Sequence, residues 1–336
     1  MRILVTGAAG FIGSHFVRTL ATGGYAAFTG AEIVALDKLT YAGNRANLEP
    51  VESAITFVHG DIGDGALLDR LLPGTDLVLN FAAETHVDRS IAGPADFVVT
   101  NVLGAQTLFE ASLKHGVRRL LHVSTDEVYG SIEAGSWRED HILEPNSPYS
   151  AAKAGADLIA LAYGRTYGLD VVVTRCSNNY GPYQFPEKVI PLFVTNLVDG
   201  NKVPLYGDGL NVRDWLHVDD HCRGIAIALE KGVTGNVYNI GGGTELTNRE
   251  LTERLLELTG NDWDSVQPVE DRLGHDRRYS VDCSKLAALG YAPATPFETG
   301  LADTVRWYRD NETWWRPLRE RHRGVVTRPV GATSGG

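Results

Sequence analysis

The sequence predicts a doubly wound parallel α/β sheet with a smaller C-terminal lobe. Short apolar runs alternate with helical patterns through the first half of the chain, and such runs are typical of parallel strands covered by helices on both faces. After about Asn178 the segments shorten and glycine-rich turns separate them. We therefore predict a sheet domain over residues 1–177, a lobe over 178–315 with some elements returning to the sheet, and a disordered tail over 316–336.

Each predicted element is assigned from its local pattern. The helix over 247–258 has the clearest start, because Thr247 is placed as its N-cap and Glu250 follows three residues later, as in a capping box. The other predicted helices show an apolar repeat of helical period. The predicted strands span 3–5, 33–36, 56–58, 77–81, 119–123 and 170–174, and the predicted helices span 11–20, 94–115, 149–167 and 247–258.

Composition limits the classes of partner. The 336 residues carry a formal net charge of −11, which argues against nucleic acid as the main partner because phosphate binding needs a basic patch. The cysteines Cys176, Cys222 and Cys283 are far apart, which indicates reduced thiols rather than a zinc site or a disulfide framework. No apolar run is long enough to cross a membrane and no leader precedes the first strand, so we expect a cytoplasmic protein.

A glycine-rich loop follows the first predicted strand and opens a helix. Gly7 permits the tight turn, Gly10 lets backbone approach a pyrophosphate, and Gly13 allows close packing of helix on strand. This pattern predicts a Rossmann-type dinucleotide site, although a plain strand–helix turn remains the alternative for glycines alone. Asp37 at the end of the second strand favours NAD over NADP by accepting from ribose hydroxyls, and Lys38 beside it weakens that preference.

Two further strand ends suit the same cofactor. Asp61 and Ile62 follow the third strand, where an adenine contact is expected, with a solvated acid as the alternative for Asp61. The fourth strand ends in the small and apolar sequence Phe81-Ala82-Ala83, which lets a cofactor lie close to the backbone.

Tyr149 and Lys153 form a Tyr-x-x-x-Lys pair on one helix face. A cationic Lys153 is expected to lower the pKa of Tyr149 by stabilising the phenolate, so that the tyrosine can take a proton from an alcohol while hydride leaves the same carbon. A tyrosine and a lysine at this spacing often occur together by chance. Behind a dinucleotide loop, and after a strand that ends in Ser124-Thr125, it predicts an oxidoreductase site.

Asp126 and Glu127 lie at the carboxyl end of the fifth predicted strand, where ligands bind in open α/β sheets. Neighbouring carboxyls disfavour double ionisation, so one acid and one base are available, as an elimination of water needs. Consecutive strand residues face opposite ways, so both reach one sugar only if the chain turns there. The alternative is that one of them is a solvated loop residue.

Four motifs together resemble the extended short-chain dehydrogenase/reductases. They are Thr-Gly-x-x-Gly-Phe-Ile-Gly at 6–13, Ser-Thr-Asp-Glu-Val-Tyr-Gly at 124–130, Tyr-x-x-x-Lys at 149–153 and Asn-Asn-Tyr-Gly-Pro at 178–182. The resemblance covers about residues 1–315, and the Thr-Asp-Glu sequence looks like that of the dTDP-glucose 4,6-dehydratases. Ala8 departs from the family pattern, in which a glycine is common.

The resemblance implies an activity and a role for each residue of the constellation. Tyr149, assisted by Thr125, removes the proton of the sugar 4-hydroxyl as hydride passes to NAD. Glu127 then abstracts the C5 proton, Asp126 protonates the departing C6 hydroxyl, and hydride returns to C6. The substrate would be dTDP-glucose, the product a nucleotide-linked 4-keto-6-deoxyglucose, and no metal is required.

The resemblance also implies contacts with each ligand. Lys153 would hold the nicotinamide ribose as well as the tyrosine. Family enzymes form two-fold dimers through the helices at 94–115 and 149–167, so a homodimer is expected, with burial under a domain lobe as the alternative. The remaining implied cofactor contacts are Phe11, Ile12, Leu39, Thr40, Thr100 and Asn179, and the implied substrate contacts are Thr85, Thr125, Asn178, Lys188, Val189, Pro204, Tyr206, Arg213, Asn248, Arg272, His275 and Tyr279.

Two other functions compete with a dehydratase. A 4-epimerase or related nucleotide-sugar oxidoreductase would keep Tyr149 and Lys153 but needs no acid–base pair, so Asp126 and Glu127 disfavour it. A non-catalytic NAD-sensing or scaffold protein has no reason to keep all four residues. The sequence leaves open whether the base is thymine or uracil and which pathway uses the product.

Overall fold

The structure is a computed structural model that describes residues 1–271 and 274–323 of the chain. The strands within these ranges are β1 (Arg2–Thr6), β2 (Glu32–Asp37), β3 (Thr56–His59), β4 (Leu77–Asn80), β5 (Arg119–Thr125), β6 (Val171–Cys176), β7 (Asn178–Tyr180), β8 (Val203–Tyr206), β9 (Val212–His217), β10 (Val237–Ile240), β11 (Glu245–Thr247) and β12 (Val266–Val269).

The helices cover the sheets and connect the strands. They are α1 (Phe11–Ala21), α2 (Gly65–Leu71), α3 (Val87–Ala92), α4 (Pro94–Phe97), α5 (Ala105–Lys114), α6 (Pro148–Tyr167), α7 (Val189–Val198), α8 (Val218–Lys231), α9 (Asn248–Thr259), α10 (Ser284–Ala287), α11 (Phe297–Asp310) and α12 (Glu312–Arg323). Short 3-10 segments occupy Ala26–Phe28, Arg45–Ala54, Asp126–Tyr129 and Trp263–Ser265, and a π-helical segment occupies Val98–Gly104.

The large sheet has the strand order β10-β6-β5-β4-β1-β2-β3, and every pairing in it is parallel. One face packs on α1 and α8 through residues such as Phe16 and Ile225, and the other packs on α2, α5 and α6 through residues such as Leu68, Phe109 and Ala160. This arrangement confirms the predicted doubly wound α/β fold. The strand order reverses between β1 and β4, so ligands are expected at the carboxyl ends of these strands.

The second lobe has its own core and two small sheets, β11-β9-β7 and β12-β8. Its apolar core includes Phe193, Leu251 and Leu301 from α7, α9 and α11. The chain does not stay in this lobe, because β10 pairs with β6 at the edge of the large sheet and α8 packs beneath it. Residues of the second half of the chain therefore also belong to the large sheet.

Two predicted segments differ from the structure. The helix predicted over 94–115 is divided into α4, the π-helical segment and α5, and such π-helical turns are frequent at functional sites. The tail predicted to be disordered from residue 316 is helical to Arg323, because Leu318 is buried and Arg319 donates to the Thr195 carbonyl at 2.9 Å. Residues 324–336 lie outside the described part of the chain.

Among the described helices, none combines the length and the apolar composition that a membrane span requires. The N-cap predicted at Thr247 is confirmed, since Thr247 and Glu250 form both hydrogen bonds of a capping box at the start of α9. All three cysteines carry free thiols.

Candidate active site

The glycine-rich loop joins β1 to α1 at the carboxyl edge of the large sheet. Gly7 has a φ of 64°, and a Cβ there would lie 2.6 Å from the backbone of Phe81 and Ala82 at the end of β4. A Cβ at Gly13 would lie 2.2 Å from the Gly7 carbonyl oxygen. Gly10 is the N-cap of α1 and provides no capping side chain, so the helix N-terminus can face an anionic group.

Asp37 ends β2 with a buried carboxylate. Its Oδ2 accepts a hydrogen bond from the Ala9 N–H at 2.8 Å, and its Oδ1 accepts one from the Leu39 N–H at 2.7 Å. Burial raises the pKa of Asp37, and these two N–H groups act against that rise. The carboxylate therefore joins the glycine-rich loop to the loop after β2, where a ribose contact is predicted.

Lys38 is paired with a second acid of the predicted cofactor site. Its Nζ lies 2.7 Å from Asp61 Oδ2, and a hydrogen bond to Asp61 is the main reason that the pKa of Lys38 is raised. Lys38, the cation expected to weaken the preference for NAD over NADP, is therefore paired with Asp61. The next residue, Ile62, is buried beneath Gly104 of the π-helical segment.

The remaining predicted cofactor contacts surround these groups. Phe81 packs on Phe16 of α1, with ring centroids 5.6 Å apart. Leu39 has a φ of 53°, a left-handed conformation that is uncommon outside glycine and that reorients the chain after Asp37. Half-buried positions are occupied by Phe11, Ile12, Leu39, Ala82, Ala83 and Thr100, whereas Thr40 is exposed.

The chain turns immediately after β5. Thr125 is the last extended residue, and its Oγ1 accepts a hydrogen bond from the Glu127 N–H at 3.3 Å, which caps the 3-10 turn Asp126–Tyr129. Gly130, with a φ of 81°, ends the turn. Strand alternation thus stops at Thr125, so it does not hold Asp126 and Glu127 on opposite faces. The charges of both carboxyls act on the phenol of Tyr149.

Asp126 is the more buried of the two acids, with 2% of its surface exposed. Burial raises the pKa of Asp126 well above its usual range, and the charges of Glu127 and Asp214 raise it further, while Arg213 and Thr125 act in the opposite direction. Among the described residues no group donates a hydrogen bond to its Oδ2. Burial and the neighbouring negative charges thus both favour the protonated carboxylic acid, the form that can donate a proton.

Tyr149 and Lys153 lie one turn apart in α6, which starts at a capping box formed by Ser147 and Ser150. Both side chains are buried, and the Lys153 ammonium donates to the Val123 carbonyl at 2.7 Å. The expected lowering of the pKa of Tyr149 is wrong for this structure. Burial raises the pKa of Tyr149 well above its usual range, and the hydrogen bond with Thr125 opposes the rise.

The lobe supplies a cation next to this pocket. Arg213 in β9 is 4% exposed, and its guanidinium donates to the Asp276 carbonyl at 2.8 Å and lies 4.2 Å from the ring centroid of Tyr279. Its charge acts on Asp126. Tyr279 is also buried and is affected by the charge of Glu127. Predicted substrate residues from the lobe and predicted catalytic residues from the sheet are therefore brought together.

Three predicted contacts lie where β7 and the segment before α7 approach the sheet. Lys188 Nζ donates to the Thr85 carbonyl at 2.9 Å. Asn179 Oδ1 lies 2.8 Å from Nδ1 of His221, whose pKa burial lowers to about 3, so that the ring is neutral. Asn178 Oδ1 is buried without a hydrogen-bond partner among the described residues, as a ligand acceptor would be.

Other predicted substrate residues form a more exposed group at the end of β8. Tyr206 is 36% exposed, and its ring lies 6.4 Å from that of His275, whose Nδ1 is 2.6 Å from Asp271 Oδ1. Pro204 in β8, Asn248 at the start of α9 and Val189 at the start of α7 are half-buried. Arg272 lies outside the described residues.

Comparison with known proteins identifies the family. A family model described as GDP-mannose 4,6 dehydratase matches residues 4–304. The dTDP-glucose 4,6-dehydratase of Streptomyces antibioticus is 61% identical over 337 aligned residues, covering 99% of each chain. This chain belongs to the dTDP-glucose 4,6-dehydratase family. A second family member, from Streptomyces niveus, is 57% identical over 95% of this chain and 96% of its own.

Solved structures separate this dehydratase family from related epimerases. The dTDP-glucose 4,6-dehydratase of Streptomyces venezuelae, crystallised with NAD, is 63% identical, covers 95% of this chain and all of its own, and has a TM-score of 0.94. The UDP-glucose 4-epimerase of Thermotoga maritima covers 93% of this chain and all of its own at 34% identity and a TM-score of 0.85. The epimerase is thus the more distant of the two.

Sequence reasoning missed two polar residues that shape the site of this dehydratase family member. Asn101, buried in the π-helical segment, accepts from the Glu84 N–H at 2.8 Å and donates to the Glu84 carbonyl at 3.0 Å, and so holds the loop that carries Thr85. Asp214 raises the pKa of Asp126. A polar residue amid apolar neighbours was the available signal for Asn101, whereas Asp214 comes from a distant strand and has no local signal.

Proposed function

We propose that this protein dehydrates dTDP-glucose to dTDP-4-keto-6-deoxyglucose with NAD as a bound cofactor. The family relationship supports the substrate and the cofactor. The observation that supports dehydration rather than oxidation alone is the burial of Asp126. Burial favours the protonated form of this acid, and the charges of Asp126 and Glu127 both act on Tyr149. An alcohol oxidation needs only the tyrosine, whereas loss of water needs both a proton donor and a base.

The residues of the glycine-rich loop fit a dinucleotide. Gly7 and Gly13 leave no room for a side chain, and the uncapped start of α1 suits a pyrophosphate. Asp37, with two acceptor oxygens at the end of β2, suits ribose hydroxyls. NAD, when bound in this loop, would supply the acceptor and later the donor of hydride, and its positive charge would favour the phenolate of Tyr149.

The first step assigned to the protein is proton removal from the 4-hydroxyl by Tyr149 as hydride leaves C4. Thr125, hydrogen-bonded to the phenol, stabilises the developing phenolate. Lys153 lies one helical turn from the tyrosine and is held by the Val123 carbonyl, a position that suits the nicotinamide ribose. The resulting 4-ketone acidifies the C5–H bond.

The second step is elimination. Glu127 takes the C5 proton, and Asp126 gives its proton to the C6 hydroxyl, so that the C6–O bond breaks and water leaves. Hydride then adds to C6 while a proton returns to C5, which restores the cofactor. We assign the domain at 1–177 to the cofactor and the lobe at 178–315, with Arg213, Tyr279 and their neighbours, to the sugar nucleotide. The cytoplasm is the proposed location.

The first experiment is to incubate the purified protein with dTDP-glucose and no added cofactor. We expect a 4-keto-6-deoxy sugar nucleotide, detected by its base-induced absorbance, because NAD must stay bound through a cycle that leaves it unchanged. UDP-glucose in a parallel reaction tests the base. Formation of a 4-epimer, or no product from either sugar after NAD is added, would contradict the dehydratase assignment.

We also propose a homodimer, supported by an apolar surface on α6 and the π-helical segment. Within the described chain, these segments bury one face in the protein and leave large apolar side chains more than half exposed on the other. The exposed ones are Val98 at 53%, Val99 at 56%, Leu103 at 57% and Leu158 at 57%. No described part of the lobe covers them, so a second copy of the chain is the partner that this surface fits.

A charge placed in this surface is expected to dissociate the dimer. Leu158→Glu would bury a carboxylate against apolar side chains of the partner, so analytical ultracentrifugation should show a dimer for the wild type and a monomer for the variant. Val233→Glu is the matched control, since Val233 is 60% exposed and follows the C-cap of α8. A monomeric wild-type protein, or equal dissociation of both variants, would contradict the proposal.

A further inference from the structure

A charged side chain lies inside the large sheet, in the strand β6. Arg175 is 3% exposed and stands among apolar residues of that strand. Its Nε donates to Asp157 Oδ2 at 2.9 Å, and its Nη1 donates to the hydroxyl of Tyr129 at 2.8 Å. The guanidinium carbon lies 4.7 Å from the centroid of the Tyr129 ring. One planar cation thus binds two different segments of the chain.

These two segments are the ones that carry the catalytic residues. Asp157 lies in α6, one turn beyond Lys153 and two turns beyond Tyr149. Tyr129 is the last residue of the 3-10 turn that starts with Asp126 and Glu127. Arg175 therefore links the helix that carries the oxidation residues to the turn that carries the elimination residues.

A third segment completes the cluster. The Tyr129 hydroxyl donates to Asn239 Oδ1 at 2.8 Å, and Asn239 lies beside Arg175 in the register of β10 on β6. The Asn239 amide also donates to the Trp137 carbonyl at 2.9 Å, and the Trp137 ring stacks on Tyr129. The end of the turn is thus fixed by hydrogen bonds to two strands and by ring stacking.

Stability alone is a weak reason for this cluster. Asp157 and Tyr129 have no exposed surface, and taking a guanidinium and a carboxylate out of water costs about as much as their attraction returns. Well-packed apolar side chains would hold a core of this kind together equally well. Directional hydrogen bonds do something that apolar packing does not, because they fix the relative position of two segments.

We propose that Arg175, with Asp157 and Tyr129, is a positioning cluster that sets the placement of the acid–base turn relative to the oxidation helix. The proposal rests on the dehydratase function given above. The sugar must lie between Tyr149 at C4 and the two acids at C5 and C6, so a shift of the turn separates the two half-reactions. None of the three cluster residues is assigned a contact with the sugar.

The test uses Tyr129→Phe, which removes one hydroxyl and keeps the ring. We expect kcat with dTDP-glucose to fall about tenfold or more, since small displacements of catalytic groups carry losses of this order. The KM should stay close to that of the wild type. Because oxidation remains intact while elimination slows, the absorbance of reduced nicotinamide should accumulate transiently when substrate is mixed with the holoenzyme.

Arg175→Lys is the second variant, because an ammonium keeps the charge beside Asp157 but lacks the fork that reaches both partners. It should show the same accumulation. Tyr291→Phe is the matched control, since this buried hydroxyl donates to the Gly241 carbonyl at 3.0 Å and to neither of the segments that Arg175 joins. We expect wild-type kinetics from it.

The outcomes separate the inference from the function on which it rests. A wild-type enzyme that does not turn over dTDP-glucose contradicts the proposed function. An active wild type together with unchanged kcat in Tyr129→Phe and Arg175→Lys overturns only the positioning role. A lower melting temperature with oxidation and elimination slowed equally would also overturn it, because that is the behaviour of a purely structural cluster.

Discussion

The Glu127→Gln variant is expected to oxidise dTDP-glucose and then stop. Glutamine keeps the shape of the side chain and cannot take the C5 proton, so the 4-keto intermediate forms and elimination fails. General acid–base catalysis contributes roughly a hundredfold to ten-thousandfold to a rate, so we expect kcat to fall by that factor. The groups assigned to oxidation, Tyr149, Lys153 and Thr125, are all kept in this variant.

Two readouts distinguish this outcome from a general loss of activity. Stopped-flow absorbance should show reduced nicotinamide appearing at a rate near that of the wild type and then persisting. Turnover in deuterated solvent should leave hydrogen at C5 of the recovered sugar, whereas the wild-type product carries solvent deuterium there. Together they locate the block at the C5–H bond.

The control for Glu127→Gln is Glu298→Gln, which removes a carboxylate paired with Arg254 in the lobe, 2.9 Å from its Nε. We expect wild-type kinetics from this variant. Normal turnover by Glu127→Gln would remove Glu127 as the base. Loss of the oxidation step as well would mean that Glu127 also serves the first half-reaction.

Features of the cofactor loop that depend on residues close together in the sequence could be predicted. The left-handed turn at Gly7 and the packing of Gly13 on the Gly7 carbonyl involve residues within a few positions of each other, whereas the approach of Gly7 to the end of β4 does not. Such geometry is encoded in residue size and backbone freedom, which a sequence displays directly. The alternation of strands and helices was predictable for the same reason, and it fixes the carboxyl edge at which Asp126 and Asp37 lie.

The turn after β5 could not be predicted with the same certainty. The residues before it read as a continuing strand, and strand geometry would have placed Asp126 and Glu127 on opposite faces. The decisive contacts are the Thr125 cap and the reversal at Gly130. Both are visible in the sequence as a threonine and a glycine, but neither residue type is specific enough to locate a single 3-10 turn.

Contacts between distant segments explain most of what the sequence did not reveal. No local pattern around Arg213 indicates burial, yet it is buried beside Tyr279 and its charge acts on Asp126. Its burial depends on how β9 meets the large sheet, which no local pattern encodes. Arg175 follows the strand predicted over 170–174, so the sequence does not predict that it is buried and needs a partner. The identity of that partner, Asp157, required the fold.

The Asp126→Asn variant is expected to change activity and stability in opposite directions. Asparagine cannot deliver a proton to the C6 hydroxyl, so kcat should fall by roughly a hundredfold or more. An analogue with fluoride in place of the C6 hydroxyl has a better leaving group and should be impaired less. Equal impairment of both substrates would contradict the assignment of Asp126 as the acid.

The pH dependence of the reaction rate gives a second test of Asp126 as the proton donor. Because the pKa of Asp126 is raised by burial and by the charges of Glu127 and Asp214, the wild-type rate should fall at high pH as the acid loses its proton. That limb of the profile should be absent from the residual activity of Asp126→Asn. A limb that survives the substitution unchanged would belong to another group, and Asp126 would not be the titrating donor.

The Asp126→Asn substitution should increase the stability of the fold, although it lowers activity. The unfolded chain ionises Asp126 near the ordinary carboxyl value, whereas the native state holds the proton to higher pH, so the wild-type fold loses stability as pH rises from the ordinary value through the raised one. Asparagine does not ionise, so it causes no such loss of stability as pH rises. The free energy of unfolding of Asp126→Asn should therefore exceed that of the wild type near neutral pH, and the gain should vanish in acid.

Chemical denaturation at several pH values measures this gain, and Asp208→Asn provides a control of opposite sign. Asp208 is exposed, and its hydrogen bond with Arg277 holds the pKa of Asp208 below its usual value, so its replacement should not stabilise the protein at neutral pH. If Asp126→Asn were less stable than the wild type at neutral pH, the carboxyl would not be a buried acid kept protonated at a cost to the fold. A gain in stability together with the loss of turnover would mean that the site keeps Asp126 for its chemistry, since the fold alone is better served by a neutral amide.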